Sequence, residues 1–348
     1  MLKYSIKRII LAFITCFIIL TLTFILIKLL PTTKAVGTAE QVFAYYNKQV
    51  TLGYMVDFQT PNPAYGDLIY SVRDSSLKWH YFYVRPVMEQ YGAWITNIFT
   101  KWDWGTSTKI KINFSAMSII FDRLPTTFFI NIISTVLAVP LGILLGIWAG
   151  LKKNKPTDHI ISTLVMIFIS IPSFVVISLL IFIFGYQLHW LPTIWPASTD
   201  PTHIRVLGYF IPVLALSFGS ICGYCRFVRA ELCEVMSSEY LLLARTKGLT
   251  KNQAITRHAL KNAFVPILPS ILAEIIGLLG GSTILEQLYS INGIGKLYIE
   301  ALNAQDYNVL MVDMAVFTII SLLAGIVLDL SYGFIDPRIR MGAGKTNG

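Results

Sequence analysis

Six long stretches of this chain carry almost no charge, and they limit its fold more than any other feature. Ile9–Ile27 has no charged residue, and Leu124–Leu151 runs for 28 residues without one. Four more follow, at about Ile160–Tyr186, Val206–Cys225, Ala263–Leu285 and Val309–Ile335. A helix needs about 20 apolar residues to cross roughly 30 Å of hydrocarbon. Each stretch therefore reads as a spanning helix, and the fold class as an all-α polytopic membrane protein with six transmembrane helices. The charge content agrees: 14% of residues are charged, against about a quarter in soluble domains, and mean hydropathy is +0.63.

The first stretch follows Lys3, Lys7 and Arg8, as a signal peptide would. Its apolar core is too long for one, and Lys28, Pro31 and Lys34 follow without a small-residue cleavage pattern. It reads as a retained helix.

Short loops set orientation through Lys and Arg. With the N-terminus inside, the inner segments hold sixteen basic residues, and the two short outer loops hold only Arg205 and Lys296. The other ten lie in or beside the long first outer segment, which the rule does not weigh. Both termini are expected in the cytoplasm of a multi-pass cell-membrane protein. The net charge of +9 then reflects orientation, not nucleic-acid binding.

Small residues recur every four positions at Gly142, Gly146 and Gly150, at Gly219 and Gly223, and at Gly277 and Gly281. Such faces let helices approach closely, so a packed bundle is expected. Pro140, Pro172 and Pro212 lie within spans and predict kinks, either static or part of a motion. The expected organisation is an N-terminal helix over 1–30, an extracytoplasmic insertion over 31–115, a five-helix core over 116–335 and a cytoplasmic tail over 336–348. The insertion carries turn chemistry at Thr60-Pro61-Asn62-Pro63 and Tyr65-Gly66-Asp67. It is too long for an unstructured connection and reads as a small folded cap; its tryptophans suit either that cap or headgroup-level anchoring.

The most informative loop is the inner one at 231–262. Ser237 or Ser238 can cap a helix opening at Glu239, whose charge suits the helix N-terminus. Tyr240 to Ala244 are apolar all round, which asks for cover on more than one side. Arg245 and Lys247 suit the C-terminal end, and Gly248 can take the left-handed turn that ends the helix. Thr250 with Gln253 forms a capping box for a second helix that runs into the fifth span. The result is a two-helix hook at the membrane surface, greasy on one side and basic on the other, fit to touch a soluble partner. A DNA-binding reading of GLTKNQAITRH fails because both ends are tethered to spans.

This loop resembles the EAA loop of binding-protein-dependent ABC importer permeases, in the oligopeptide/dipeptide/nickel family and its oligopeptide B-type form. The likeness rests on Glu239-Tyr240, Ala244, Lys247-Gly248-Leu249, and Arg257-His258-Ala259-Leu260-Lys261-Asn262-Ala263 followed by Pro266. It extends to Gly280-Gly281, Leu285-Glu286, Gly293-Ile294-Gly295, Asp306-Tyr307, Asp329-Leu330-Ser331-Tyr332 and Asp336-Pro337-Arg338-Ile339-Arg340, and upstream to Arg123-Leu124-Pro125-Thr126-Thr127. Asn292 stands where the family commonly has proline, and residues 31–100 match no motif. The resemblance implies a type I importer fold and half of an inward pathway for oligopeptides. Dipeptides, nickel chelates or another small solute are alternatives within the same architecture. It also implies a second homologous permease, two cytoplasmic ABC ATPase subunits and an extracytoplasmic peptide-binding protein. The coupling positions are then Glu239, Tyr240, Ala244, Arg245, Lys247, Gly248 and Leu249.

No catalytic constellation is encoded. Gly342-Ala343-Gly344-Lys345-Thr346 lacks the first glycine of a phosphate loop and its strand–helix context. ATP and Mg are therefore expected on partner subunits, with no cofactor in this chain. Five scattered histidines show no metal spacing, and Cys222-x-x-Cys225 lies in an apolar stretch, where it reads as packing. A stand-alone secondary transporter is disfavoured by the lack of an inverted repeat and by the hook. Glu274, Asp313 and Glu286 are the substrate-pathway candidates, since ionisable groups within spans are costly; the alternative for each is a structural bond to a neighbouring helix.

Overall fold

The computed structural model describes residues 2–30, 35, 37–74, 77–277 and 282–335. The Gly280-Gly281 pair and the 336–348 tail, with its Asp-Pro-Arg motif and glycine-rich end, lie outside them. In chain order the chain forms α1 (Leu2–Lys28), α2 (Ala39–Thr51), β1 (Met55–Phe58), β2 (Leu68–Arg73), β3 (Trp79–Val84), α3 (Val87–Lys101) and α4 (Ala116–Leu151). Then come α5 (Pro156–Ile169), α6 (Ser173–Leu180) with a π-helical continuation Ile181–Gln187, α7 (Thr202–Leu207), α8 (Phe210–Met236), α9 (Glu239–Thr246) and α10 (Lys251–Ala254). A π-helical turn Ile255–Ala259 leads to α11 (Leu260–Phe264), α12 (Ile267–Gly277), α13 (Thr283–Leu288), α14 (Ile294–Ala304) and α15 (Tyr307–Ile335).

Four helical segments among the described residues are long and apolar enough to cross a membrane: Ile6–Lys28, Ala116–Leu151, Thr202–Met236 and Tyr307–Ser331. The third apolar stretch is not one straight span. Pro156–Ile169 and Ser173–Gln187 meet at 96°. Pro172 sits at the break in extended conformation, because its ring and missing N–H cannot continue the preceding helix. Pro140, by contrast, lies inside the unbroken α4. The fifth stretch, Ala263–Leu285, falls on the shorter α11, α12 and α13, with 278–281 outside the described residues. The described count is thus four spans, or five with the bent pair. Apolar side chains such as Phe13, Leu26, Val136 and Leu144 stand exposed along α1 and α4, the surface expected of helices solvated by lipid.

The chain divides into two compact units. One comprises residues 1–12, 124–296 and 320–348. Within it α4 packs on α8 through its glycines. A Cβ at Gly142 would stand 2.6 Å from Tyr224 Cβ, one at Gly146 2.7 Å from the Cys225 carbonyl, and one at Gly150 3.0 Å from Leu232. Gly219 and Gly223 behave otherwise. A Cβ at either meets nothing within 4 Å among the described residues, so no described helix packs closely on this pair. Cys222 and Cys225 pack as apolar residues against Val165.

The other unit comprises residues 13–123 and 297–319. It holds an antiparallel sheet in the order β1-β3-β2, built from aromatic and β-branched residues that suit a half-buried pleated surface. Helix α2, opened by a capping box between Thr38 and Gln41, lays Val42 and Tyr46 on Met55 and Phe82. Among the described residues the membrane portion is all-α, as expected; α2, the three strands and α3 form a folded α/β element.

Candidate functional site

The hook begins where α8 ends. Ser238 occupies the cap position of α9 with an extended backbone, as the sequence predicts, but its hydroxyl donates to the Val235 carbonyl at 2.5 Å and caps no N–H of α9. Arg245 lies in the last turn, and Gly248 has φ +95°. Thr250 then accepts from Gln253 N–H at 3.3 Å, while the Gln253 side chain accepts from Thr250 N–H at 3.0 Å. Both orphan donors are thereby satisfied. The chain continues through the π-helical turn, whose middle is Arg257-His258, into α11 and α12.

Cover for the hook comes from one side. Leu241, Ala254, Ile255, Ala259 and Ala263 pack with Leu232 of α8, and Leu249 is packed against them. Tyr240, Leu242 and Leu243 remain exposed, at 41%, 63% and 57%. Among the described residues the expected cover on several sides is therefore not present: a helix of two turns, Glu239–Thr246, presses only one stripe inward. Glu239, Arg245 and Lys247 are also exposed, and Ala244 is half-buried. A shallow cavity of about 220 Å³ lies beside them, lined by Ser238, Leu241, Leu242, Arg245, Lys251 and Ile255 among others. The hook thus offers a greasy ridge, seated on α8 through Leu241, with cations at its end.

A buried ion pair fixes α8 above the hook. Asp158 is fully buried and accepts from Arg229 Nε at 2.5 Å and Nη2 at 2.8 Å, from Asn154 N–H at 2.9 Å and from the Ser162 hydroxyl at 3.2 Å. Sequence reading missed this pair. The available signal was a carboxylate in the third position of a helix opened by Pro156, where proline and negative charge are both favoured.

The three pathway candidates occupy different settings. Glu274 on α12 is half-buried; its Oε1 is screened from solvent and has no hydrogen-bond partner among the described residues, and Tyr224 lies against the carboxylate. Glu286 on α13 is 3% exposed. It accepts from the Thr127 hydroxyl at 2.9 Å and from Lys296 N–H at 2.9 Å, while Thr127 in turn accepts from Ile294 N–H at 3.0 Å. A Cβ at Gly293 would strike Glu286 Oε2 and Thr127 Oγ1, which explains the glycine. Asp313 on α15 is fully buried and belongs to the other unit. The same unit uses Asp306, of the Asp-Tyr motif, as an anchor: its Oδ2 accepts from Ser107 Oγ at 2.6 Å and from the N–H groups of Thr108, Lys109 and Ile110 at 3.0–3.1 Å.

Residues 142–341 match the family described as binding-protein-dependent transport system inner membrane component. The chain belongs to that family. This permease is 32% identical over 341 residues, 98% of its own length and all of its relative's, to the dipeptide transport system permease protein DppB of Lactococcus lactis subsp. cremoris strain MG1363. It is 29% identical to the oligopeptide transport system permease protein OppB of Escherichia coli K12, over 98% of this chain and 100% of that one. Its fold is shared with a chain of the MetNI methionine ABC transporter in an inward-facing conformation: TM-score 0.51 at 15% identity, covering 63% of the permease and 97% of the MetNI chain. The permease is therefore a multi-pass transmembrane subunit of an ABC importer, with the type I fold.

Proposed function

We propose that this permease forms half of an inward pathway for peptides, with a second homologous permease as the other half. In this reading the hook docks on one of two cytoplasmic ATPase subunits, which supply ATP and Mg. An extracytoplasmic peptide-binding protein delivers solute on the side of residues 31–115. The sixteen-to-two split of short-loop basic residues supports this orientation. The observation that carries the docking role is the exposed ridge of Tyr240, Leu242 and Leu243, flanked by Arg245 and Lys247 and held rigid by Leu241 beneath it. Exposed apolar surface rimmed by charge marks a protein interface. Ala244 allows close approach, Gly248 sets the turn, and Leu249 and Glu239 hold the ends. Glu274 is the carboxylate proposed to line the pathway, whereas Glu286 and Asp313 shape the helices around it.

Replacing Leu243 by Asp, or Arg245 and Lys247 together by Glu, is expected to abolish ATPase co-purification in mild detergent and to stop peptide uptake while the permease still inserts. Normal co-purification and normal uptake in both variants would refute the docking role.

A further inference from the structure

A cavity of about 130 Å³ lies in the unit formed by residues 13–123 and 297–319. It opens between the end of α1, helix α2, the three strands and the start of α15. Lys28, Lys109, Gln49, Tyr45 and Tyr54 are among the residues that line it, and among the described residues no Asp or Glu does. Two of the four side-chain amides that line it are engaged: Gln90 Nε2 donates to the Arg85 carbonyl and Asn308 Nδ2 to the Thr106 carbonyl, each at 2.8 Å. Gln49 is different. It is 5% exposed, and its buried Nε2 has no acceptor among the described residues. Lys28 faces aromatic rings: its ammonium stands 4.1 Å from the Tyr54 ring centroid and 5.5 Å from that of Phe24.

Ring faces satisfy a cation only in part, and a buried amide donor without an acceptor is rare enough in folded proteins to need a cause. A lysine at the end of a spanning helix can extend its ammonium toward water, which would account for Lys28 alone but not for Gln49. Both groups line one cavity, and a single oxyanion would give the Gln49 amide its acceptor and the Lys28 ammonium a counter-charge. We propose that this cavity binds a small oxyanion, a carboxylate or phosphate group, received between the Lys28 ammonium and the Gln49 amide, with Tyr54 as an aromatic wall. The cavity admits the charged group and a few further atoms, not a whole lipid. Helix α1 is 27 residues long, about 40 Å, so Lys28 falls at the headgroup level of a bilayer whose apolar core is roughly 30 Å thick. The same oxyanion can therefore come from a lipid headgroup or from a free solute. The proposal does not depend on peptides being the transported solute.

The test uses the full-length chain with its accompanying subunits, in nanodiscs of phosphatidylcholine, and trifluoroacetate observed by fluorine NMR as the probe. Wild type is expected to broaden the probe signal saturably. Lys28→Met and Gln49→Leu should each weaken binding about tenfold, and Lys28→Arg should largely retain it. Gln49→Leu keeps every charge, so it decides the matter even where Lys28→Met fails to assemble; elution volume and melting temperature check the fold of both. Loss of probe binding in phosphatidylglycerol discs identifies the headgroup as occupant. Competition by an N-acetylated dipeptide, but not by its C-terminal amide, identifies a solute carboxylate. Absence of saturable broadening in wild type, or equal broadening in wild type and both weakening variants, would overturn the proposal.

Discussion

Gly248 holds φ +95°, and the space where its Cβ would sit is empty. A substitution there is strained by the backbone alone. Gly248→Ala is expected to cost about 1 kcal/mol, seen as faster hydrogen exchange in α9 and weaker ATPase retention; Gly248→Asn should be milder, since asparagine tolerates this conformation. Unchanged exchange in the alanine variant would show that the turn is not what stiffens the hook. Asp158 presents the opposite case, a residue fixed by its partners. Removing one member of a buried ion pair costs about 3–5 kcal/mol. Arg229 keeps about a third of its side-chain surface exposed, so Asp158→Ala belongs at the low end, about 3 kcal/mol or less. Thermal unfolding in detergent measures it. The swapped pair, Asp158→Arg with Arg229→Asp, should not restore stability, because Asn154 N–H and Ser162 would lose their acceptor.

At the scale of elements, α4 and α8 illustrate how the same glycine spacing has two meanings. Gly146→Leu must push against the Cys225 carbonyl and Val228, and overpacking of this kind costs about 1–3 kcal/mol. Gly219→Ala meets nothing among the described residues and should be neutral, or stabilising by up to about 1 kcal/mol from helix propensity. Melting temperatures of the two variants should move in different directions or by clearly different amounts. The strands carry a titration. His80 Nδ1 lies 2.6 Å from Asp57, and its Nε2 lies 3.5 Å from Asp74. The hydrogen bond that His80 donates to Asp57, with the charges of Asp57 and Asp74, outweighs burial and raises the imidazole above its ordinary 6.5. A raised folded value means that the stabilisation is fully present below the unfolded value and fades as pH rises through the folded one. The 31–115 segment should therefore loosen as pH rises above about 6.5. His80→Gln should flatten that dependence in proteolysis or exchange experiments; a slope unchanged in the variant would assign it to another group.

For the whole molecule, the proposed orientation predicts its topography. An epitope placed in the 77–78 turn should be reached by antibody on intact cells, and one after Lys153 only after permeabilisation. The reverse pattern would invert the proposed orientation and remove the hook from any cytoplasmic ATPase.

The sequence alone determined the membrane class, the helical content of the core, the capping box at Thr250, the left-handed turn at Gly248 and the family, because apolar run length, local hydrogen-bond chemistry and backbone freedom are properties of short segments. Only the tertiary structure decided that the third stretch bends by 96°, that Gly142 and Gly146 touch a helix while Gly219 and Gly223 touch none among the described residues, and that Met55–Phe58, Leu68–Arg73 and Trp79–Val84 build a sheet. It also decided that Glu286 is spent on Thr127 and Lys296, and that Asp158 finds Arg229 across 71 residues of chain. These depend on which distant atoms arrive at hydrogen-bond or van der Waals range, and spacing along one segment carries no information about its partner's position in space.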